Sequence, residues 1–452
     1  MSAAGAKLTR GSVPGHLFAM ALPMLGGIFA MMAFNAVDTF FVGQLGPREL
    51  AAMSFTFPVV MVVTAAAIGM SSGTSSVIAR ALGANDTERV RRLATDAMLL
   101  AFVVSSVMAF FGYVMIDPVF RALGAPADML PLISSYMTIW YASAMLYIVP
   151  MVGMGAIRAT GDTRVPMYIM VGAAIANAIL DPLLIFGLGP FPRLELQGAA
   201  IALLIARVLM FGVTFYILFA RLHMLDLARR QLTDVWYSWR QILHVGLPAA
   251  GTNMVIPLCT AIVTAMLAAY GTDVVAGFGV AARIESLTLV AFYALSAVIG
   301  PMLGQNLAAG EGERMQHALR ASGKFCMAFG LALAILLWLF GEPLARLFSD
   351  DANVVRVATT YLLIVPLSFG AAGIVMTVNA GFNGVGNPLP AVVISVLRML
   401  VIYVPLAWLA GRFFGYQGIF AAYACANLVC GFGGYVWLRR RMAVLQPAGA
   451  LA

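Results

Sequence analysis

Apolar residues in this chain neither alternate in twos nor stop after a few positions. They run on at membrane-spanning length, break at short clusters of Gly, Pro and charged residues, and resume. A helix crosses a bilayer with about 20 such residues. Cutting the sequence at the polar clusters predicts twelve helices, roughly 16–42, 51–79, 94–116, 131–156, 166–188, 197–220, 241–270, 275–305, 320–341, 357–382, 389–411 and 416–438. Backbone groups in lipid must be satisfied within their own segment, and runs this long exclude the short alternating strands of a closed barrel.

The pattern also repeats. Shifted by 225 residues, Leu22-Pro23 falls on Leu247-Pro248, Gly46 on Gly271, Ala51 on Ala276 and Glu88-Arg89 on Glu313-Arg314. Further on, Gly161-Asp162 and Pro166 match Gly386-Asn387 and Pro390 with one residue deleted. An even number of spans per copy keeps the two copies parallel. The predicted fold is an all-α integral membrane protein with twelve transmembrane helices in two parallel six-helix lobes. The lobes are 1–220, which carries the cation site derived below, and 241–452, joined by a charged cytoplasmic connector at 221–240.

Composition agrees, with 62% hydrophobic and 10% charged residues, where a soluble domain has about 25% charged. A net charge of +8 would suit a nucleic-acid binder, but its placement argues for a membrane and no nucleic-acid partner. With the N-terminus inside, 18 of the 27 Lys and Arg fall on the cytoplasmic side, six outside and three (Arg207, Arg283, Arg398) within spans. That bias places both termini in the cytoplasm of a multi-pass protein of the plasma (inner) membrane. Lys7 and Arg10 before the first span mimic a signal peptide, but the span is too long and its counterpart is internal. Cys259, Cys326, Cys425 and Cys430 all lie in apolar spans without paired spacing and are expected as small buried hydrophobes. The four histidines form no metal constellation, and no HExxH, GxSxG or GxxxxGK[ST] appears, so no enzyme is expected.

Chemistry is expected where the repeat fails. Asp38 in the first span aligns with Val263, and Asp181 in the fifth aligns with Pro405 or a neighbour in an apolar stretch. A carboxylate in hydrocarbon costs about 2.5–3.5 kcal/mol on insertion scales and so marks a functional cavity. Asp38 precedes Gly43 by five residues and Asp181 precedes Gly187 by six. At about 1.5 Å per residue both acids lie ~8–9 Å below the outer helix ends. Asn177 shares a helix face with Asp181, four residues on. Two carboxylates and an amide at one depth can hold Na⁺ through oxygens or share a proton. The competing structural reading pairs one acid with a buried arginine such as Arg207. Pro23, 15 residues before Asp38, is expected as a helix-bending point that responds to the cation. The polar run Ser71, Ser72, Thr74, Ser75 and Ser76 is expected to ease helix packing. Glu285 in the eighth span, on a different face from Arg283, reads as structural or cavity-lining. Twenty-eight Met and 28 Phe offer an adaptable lining, mostly spent on core and lipid.

In order and on the right helices, Leu22-Pro23, NAVDTFFVG at 35–43, RATGDTRVP at 158–166, NAILDP at 177–182, GQN at 304–306 and GVGNP at 384–388 resemble the multidrug and toxic compound extrusion (MATE) transporters over nearly the whole chain. The resemblance implies two six-helix lobes, a rocker-like alternation, and secondary active export of organic, often cationic compounds against H⁺ or Na⁺, with no cofactor beyond that coupling ion. It makes Asp38, Asn177 and Asp181 the cation site, a Na⁺ site if the ion is a metal, and Tyr136 a lining residue. Relatives with a Na⁺ site often add a threonine from the sixth helix; here that stretch is GAAIALLIAR at 198–207, which favours H⁺ without excluding Na⁺. Where some relatives carry acids in the seventh and tenth helices, this chain has Asn253 and Asn379, which with Glu285 are candidate cavity-lining residues. Expected partners are small organic substrates and membrane lipid, with the chain acting as a monomer. The alternative reading is a lipid-linked precursor flippase of the same superfamily, which would need a strongly cationic cavity.

Overall fold

The computed structural model describes residues 6–226 and 231–445, so Arg229 and Arg230 of the expected connector lie outside the described residues. The described residues are largely helical: α1 (Val13–Gly43), α2 (Pro47–Gly83), α3 (Thr87–Val114), the short α4 (Ile116–Ala122), α5 (Leu130–Ala142), α6 (Ala144–Ala159), α7 (Arg164–Phe186) and α8 (Glu195–Tyr216) come first. They are followed by α9 (Leu232–Ala268), α10 (Thr272–Thr288), α11 (Val290–Ala308), α12 (Gly312–Arg346), α13 (Ala352–Ile364), α14 (Phe369–Gly384), α15 (Leu389–Val396) and α16 (Val404–Leu445).

Ten of these helical runs are long and apolar enough to cross a membrane, and the bent pair α5–α6 makes an eleventh. The last run, Leu389–Leu445, is 57 residues long, enough for two spans. It is interrupted at Gly415 (φ 61°, ψ −154°), and a Cβ on Gly418 would strike the backbone carbonyl of Ala410. Residues eight apart in a straight helix lie ~12 Å from each other, so the chain doubles back there. The result is twelve spans in a multi-pass membrane protein.

Local chemistry sets the boundaries. Asp86 accepts from Arg89 N at 2.9 Å ahead of α3, and Asp351 from Asn353 N at 2.7 Å ahead of α13, satisfying helix-terminal donors. Gly187, left-handed at φ 72°, closes α7. Gly46 and Gly271 stand at φ 148° and 116° before α2 and α10. These positions favour glycine, which is why the repeat keeps one at both.

Two spans expected to be continuous are broken, and at equivalent positions. The fourth bends by 44° between α5 and α6 at Ser143, and the tenth passes through a 3-10 turn at Val365–Ser368 between α13 and α14. Ser143 Oγ donates to the Trp140 carbonyl and Ser368 Oγ to the Val365 carbonyl, both at 2.8 Å. Such local side-chain bonds compete with the helical ladder, and Pro366 removes a donor from it as well. Apolar periodicity carries no trace of either break.

By packing, the described residues form two compact units, 22–250 with Ala6 and Lys7, and 251–445 with Leu8–Ala21. These differ from the halves of the sequence repeat, because α1 and α9 each run from one unit into the other. The changeovers, after Ala21 and Ala250, fall beside Leu22-Pro23 and Leu247-Pro248.

In the first unit the small-residue face of α2 takes the closest contacts. Ser71 Oγ donates to the Met151 carbonyl at 2.7 Å and accepts from Arg158 Nη2 at 2.8 Å. Side chains at Gly69 and Gly73 would overlap the α9 backbone at Gly246 and Ile242. Ser71 of the serine cluster therefore serves packing. In the second unit Leu8 is held by residues of the 304–306 motif. Leu8 N donates to Gln305 Oε1 at 3.1 Å, and the Leu8 carbonyl accepts from Asn306 Nδ2 at 3.2 Å and Arg314 Nη2 at 2.9 Å. One sequence expectation needs correction: Cys425 is exposed, unlike the other three cysteines. Of the three arginines within spans, Arg283 is exposed, and Arg207 and Arg398 are buried. Burial of these side chains depends on helix rotation, which span hydropathy alone does not report.

Candidate functional site

The first unit holds a cavity of about 580 Å³. Asp38 enters it from α1, Tyr136 and Trp140 from α5, Tyr147 from α6 and Arg207 from α8. Seven methionines and two phenylalanines contribute, so the apolar lining is mainly the flexible thioether kind. Among the described residues that line it, Asp38 and Arg207 are the two with formal charge.

Asn177 and Asp181 are fully buried on α7 and do not line this cavity. Asn177 Nδ2 donates to Asp181 Oδ1 at 3.1 Å. The remaining oxygens, Asn177 Oδ1 and Asp181 Oδ2, are buried without a hydrogen-bond partner. Asp181 and Asp38 lie close enough to interact electrostatically, and Tyr136 interacts with both acids and with Arg207. Unpaired buried oxygens are costly, and an all-oxygen donor set next to a second carboxylate fits a hard cation or a proton. Of the residues expected from the sequence, Asn177 and Asp181 are in hydrogen-bond contact, and Asp38 lies on the cavity wall within electrostatic reach of Asp181.

Arg207 does not play the partner role weighed for it. No ion pair within 4.0 Å joins it to either acid among the described residues. Its Nη1 donates to Ser143 Oγ at 2.5 Å and towards the Trp140 carbonyl at 3.5 Å. The guanidinium carbon lies 4.9 Å from the Trp140 ring centre and 4.8 Å from that of Tyr147. As a cavity residue it is additional to those expected, though an arginine inside an apolar span was a readable signal. Trp140 and Tyr147 carried no such signal.

The other candidates lie elsewhere. Asn253 is exposed, and Asn379 Nδ2 donates to Ser395 Oγ at 2.9 Å. Glu285, half-buried, accepts from the hydroxyls of Tyr361 and, at 3.4 Å, Tyr423, with Arg398 within electrostatic reach. None of the three lines the cavity of the first unit. Pro23 and Pro182 sit inside α1 and α7, which continue as helix on both sides.

Twelve apolar spans, a duplicated sequence and a buried acid cluster opening on a cavity define a polytopic membrane transporter. The MatE family model matches residues 23–183 and 248–409, and the chain belongs to this family of MATE transporters. It is 40% identical over 434 residues to the FAD transporter of Shewanella oneidensis, covering 96% of this chain and 95% of that one. It is 27% identical over 402 residues to a probable multidrug resistance protein, NorM, of Thermotoga maritima, covering 88% and 86%. Among solved structures it matches the Vibrio cholerae MATE transporter VcmN in the bent form with a TM-score of 0.91 at 31% identity, covering 96% of this chain and 98% of that one. The protein is a transporter and not an enzyme.

Proposed function

We propose that the protein is a secondary active exporter that moves organic compounds out by alternating access while H⁺ or Na⁺ moves in through Asp38, Asn177 and Asp181. It works as a monomer in the plasma (inner) membrane with both termini in the cytoplasm, and Tyr136 lines the path. The observation that carries this reading is Asp38, which lies on the wall of a methionine-rich cavity and within electrostatic reach of the buried Asp181. The coupling ion is thereby taken up on the wall of the cargo cavity. Efflux of a fluorescent dye from proteoliposomes under an imposed ΔpH or Na⁺ gradient tests it. Flux that follows one gradient and disappears in Asp38→Asn supports antiport at this site; a folded protein indifferent to both gradients rules it out.

For the cargo, export of varied amphipathic compounds agrees with the names of the multidrug relatives and the adaptable lining. A second reading, export of flavin adenine dinucleotide, is supported by the 40% identical relative and by Trp140 and Tyr147 on the cavity wall, against which a planar ring can stack. Parallel efflux assays with the dinucleotide and a cationic dye separate the two.

A further inference from the structure

We infer that Arg207 is a specificity-determining residue of the cavity: it binds the carboxylate or phosphate of an aromatic anionic cargo whose ring lies against Trp140 and Tyr147. The inference rests on the reading of this cavity as the cargo site. Arg207 is 7% exposed and lines the cavity from α8. An arginine held for structure alone would spend its donors on the protein, because an unpaired charge in a dry site is expensive. Here Nη1 is tethered to Ser143 and directed at the Trp140 carbonyl at the α5–α6 bend and Nε is buried, while Nη2 makes no hydrogen bond among the described residues. The tether fixes the guanidinium and leaves N–H donors for a ligand, and pre-orientation of this kind lowers the cost of binding. The two aromatic rings within 5 Å of its carbon leave hydrogen bonding to the guanidinium edge, which suits the flat fork of a carboxylate or phosphate.

Charge points the same way. Of the two charged groups on the wall, Asp38 belongs to the cation site. Once it carries its proton or Na⁺, the fixed charge left facing the cargo is the guanidinium, and arginine stays charged. A cationic cargo would meet like charge there and an anionic one its counter-ion. Exclusion between cargo and coupling ion then has to run through helix shape, since the two use different groups.

Riboflavin and FMN share one aromatic system and differ by a phosphate, so their equilibrium binding to the purified full-length protein in detergent is a matched test, with rhodamine 123 as the cation. The expected result is FMN bound about tenfold more tightly than riboflavin, as for one charge-assisted contact. R207Q should bring FMN down to the level of riboflavin with riboflavin itself unchanged, and R207K should keep part of the preference. Wild type binding the two flavins alike, rhodamine 123 binding more tightly than FMN, or R207Q weakening both flavins equally would each overturn the proposal. Should R207Q fail to fold, the wild-type comparison and R207K still decide. Because this is binding without a gradient, an FMN preference that survives alongside ion-independent flux would refute the antiport reading and leave Arg207 in its role.

Discussion

Asn177 and Asp181 share one face of α7, and the amide of the first donates to a carboxylate oxygen of the second at 3.1 Å while each keeps one buried oxygen unpaired. The pair is satisfied only in part by the protein. Under the function proposed above, the two oxygens left over receive the coupling proton or cation.

Removing the amide tests this directly. Asn177→Leu keeps bulk and deletes both the donor to Asp181 and one of the spare oxygens. Gradient-driven efflux should fall about tenfold or more, with helical content retained, because a buried carboxylate loses a bond worth about 1.5–3 kcal/mol. Efflux within twofold of wild type, measured in the same proteoliposomes, would remove Asn177 from the cation site.

Ser143 holds Arg207 at the α5–α6 bend. Ser143→Ala takes away the acceptor and should destabilise the protein by about 1–3 kcal/mol, the cost of an orphaned buried donor. Denaturation of the purified protein in detergent reads this out. An unchanged midpoint would mean that the guanidinium finds an equivalent partner.

Gly155 packs where a Cβ would overlap the Ser71 backbone and hydroxyl. Gly155→Val should force α6 away from α2 at a cost of at least about 1–3 kcal/mol of overpacking. Low yield and early aggregation in size-exclusion chromatography are expected; a normal monodisperse peak would count against so close an approach.

Pro23→Ala restores a helical donor within α1, 15 residues before Asp38. If the cation acts by changing the bend at this point, ion-driven efflux should drop several-fold while dye binding stays within about twofold, since no cavity contact is lost. Unchanged transport and coupling would end the bending hypothesis.

Arg314 spans the carbonyls of Leu8 and Gly11 at 2.9 and 2.8 Å. Arg314→Ala should raise amide hydrogen exchange across 6–12 by about tenfold or more, the effect of losing a charge-assisted contact of 1.5–3 kcal/mol. Exchange equal to wild type would show that Gln305 and Asn306 suffice.

The sequence carried the fold through two features that need no contacts to read: the length of the apolar runs and the 225-residue repeat. Lipid enforces the first, because every backbone group must find its partner inside the span. Asp38, Asn177 and Asp181 were legible because polar groups in an apolar span stand out and helical spacing fixes their depth. The breaks at Ser143 and Ser368 were not, since one local hydrogen bond decides them. Nor were the placements of Arg207, Trp140 and Tyr147 on the cavity wall, because which way a side chain turns, and whether two charges pair or stand apart, depends on how neighbouring helices are rotated. Composition and spacing thus determined a twelve-span duplicated membrane protein with a carboxylate cluster in its first half. Tertiary packing alone decided that Asp38 opens onto a cavity, that Arg207 stands on the same wall unpaired with it, and that Asn253, Asn379 and Glu285 lie apart from it. The reason is physical: lipid acts on each span separately, whereas a cavity exists only where several spans fail to fill the space among them.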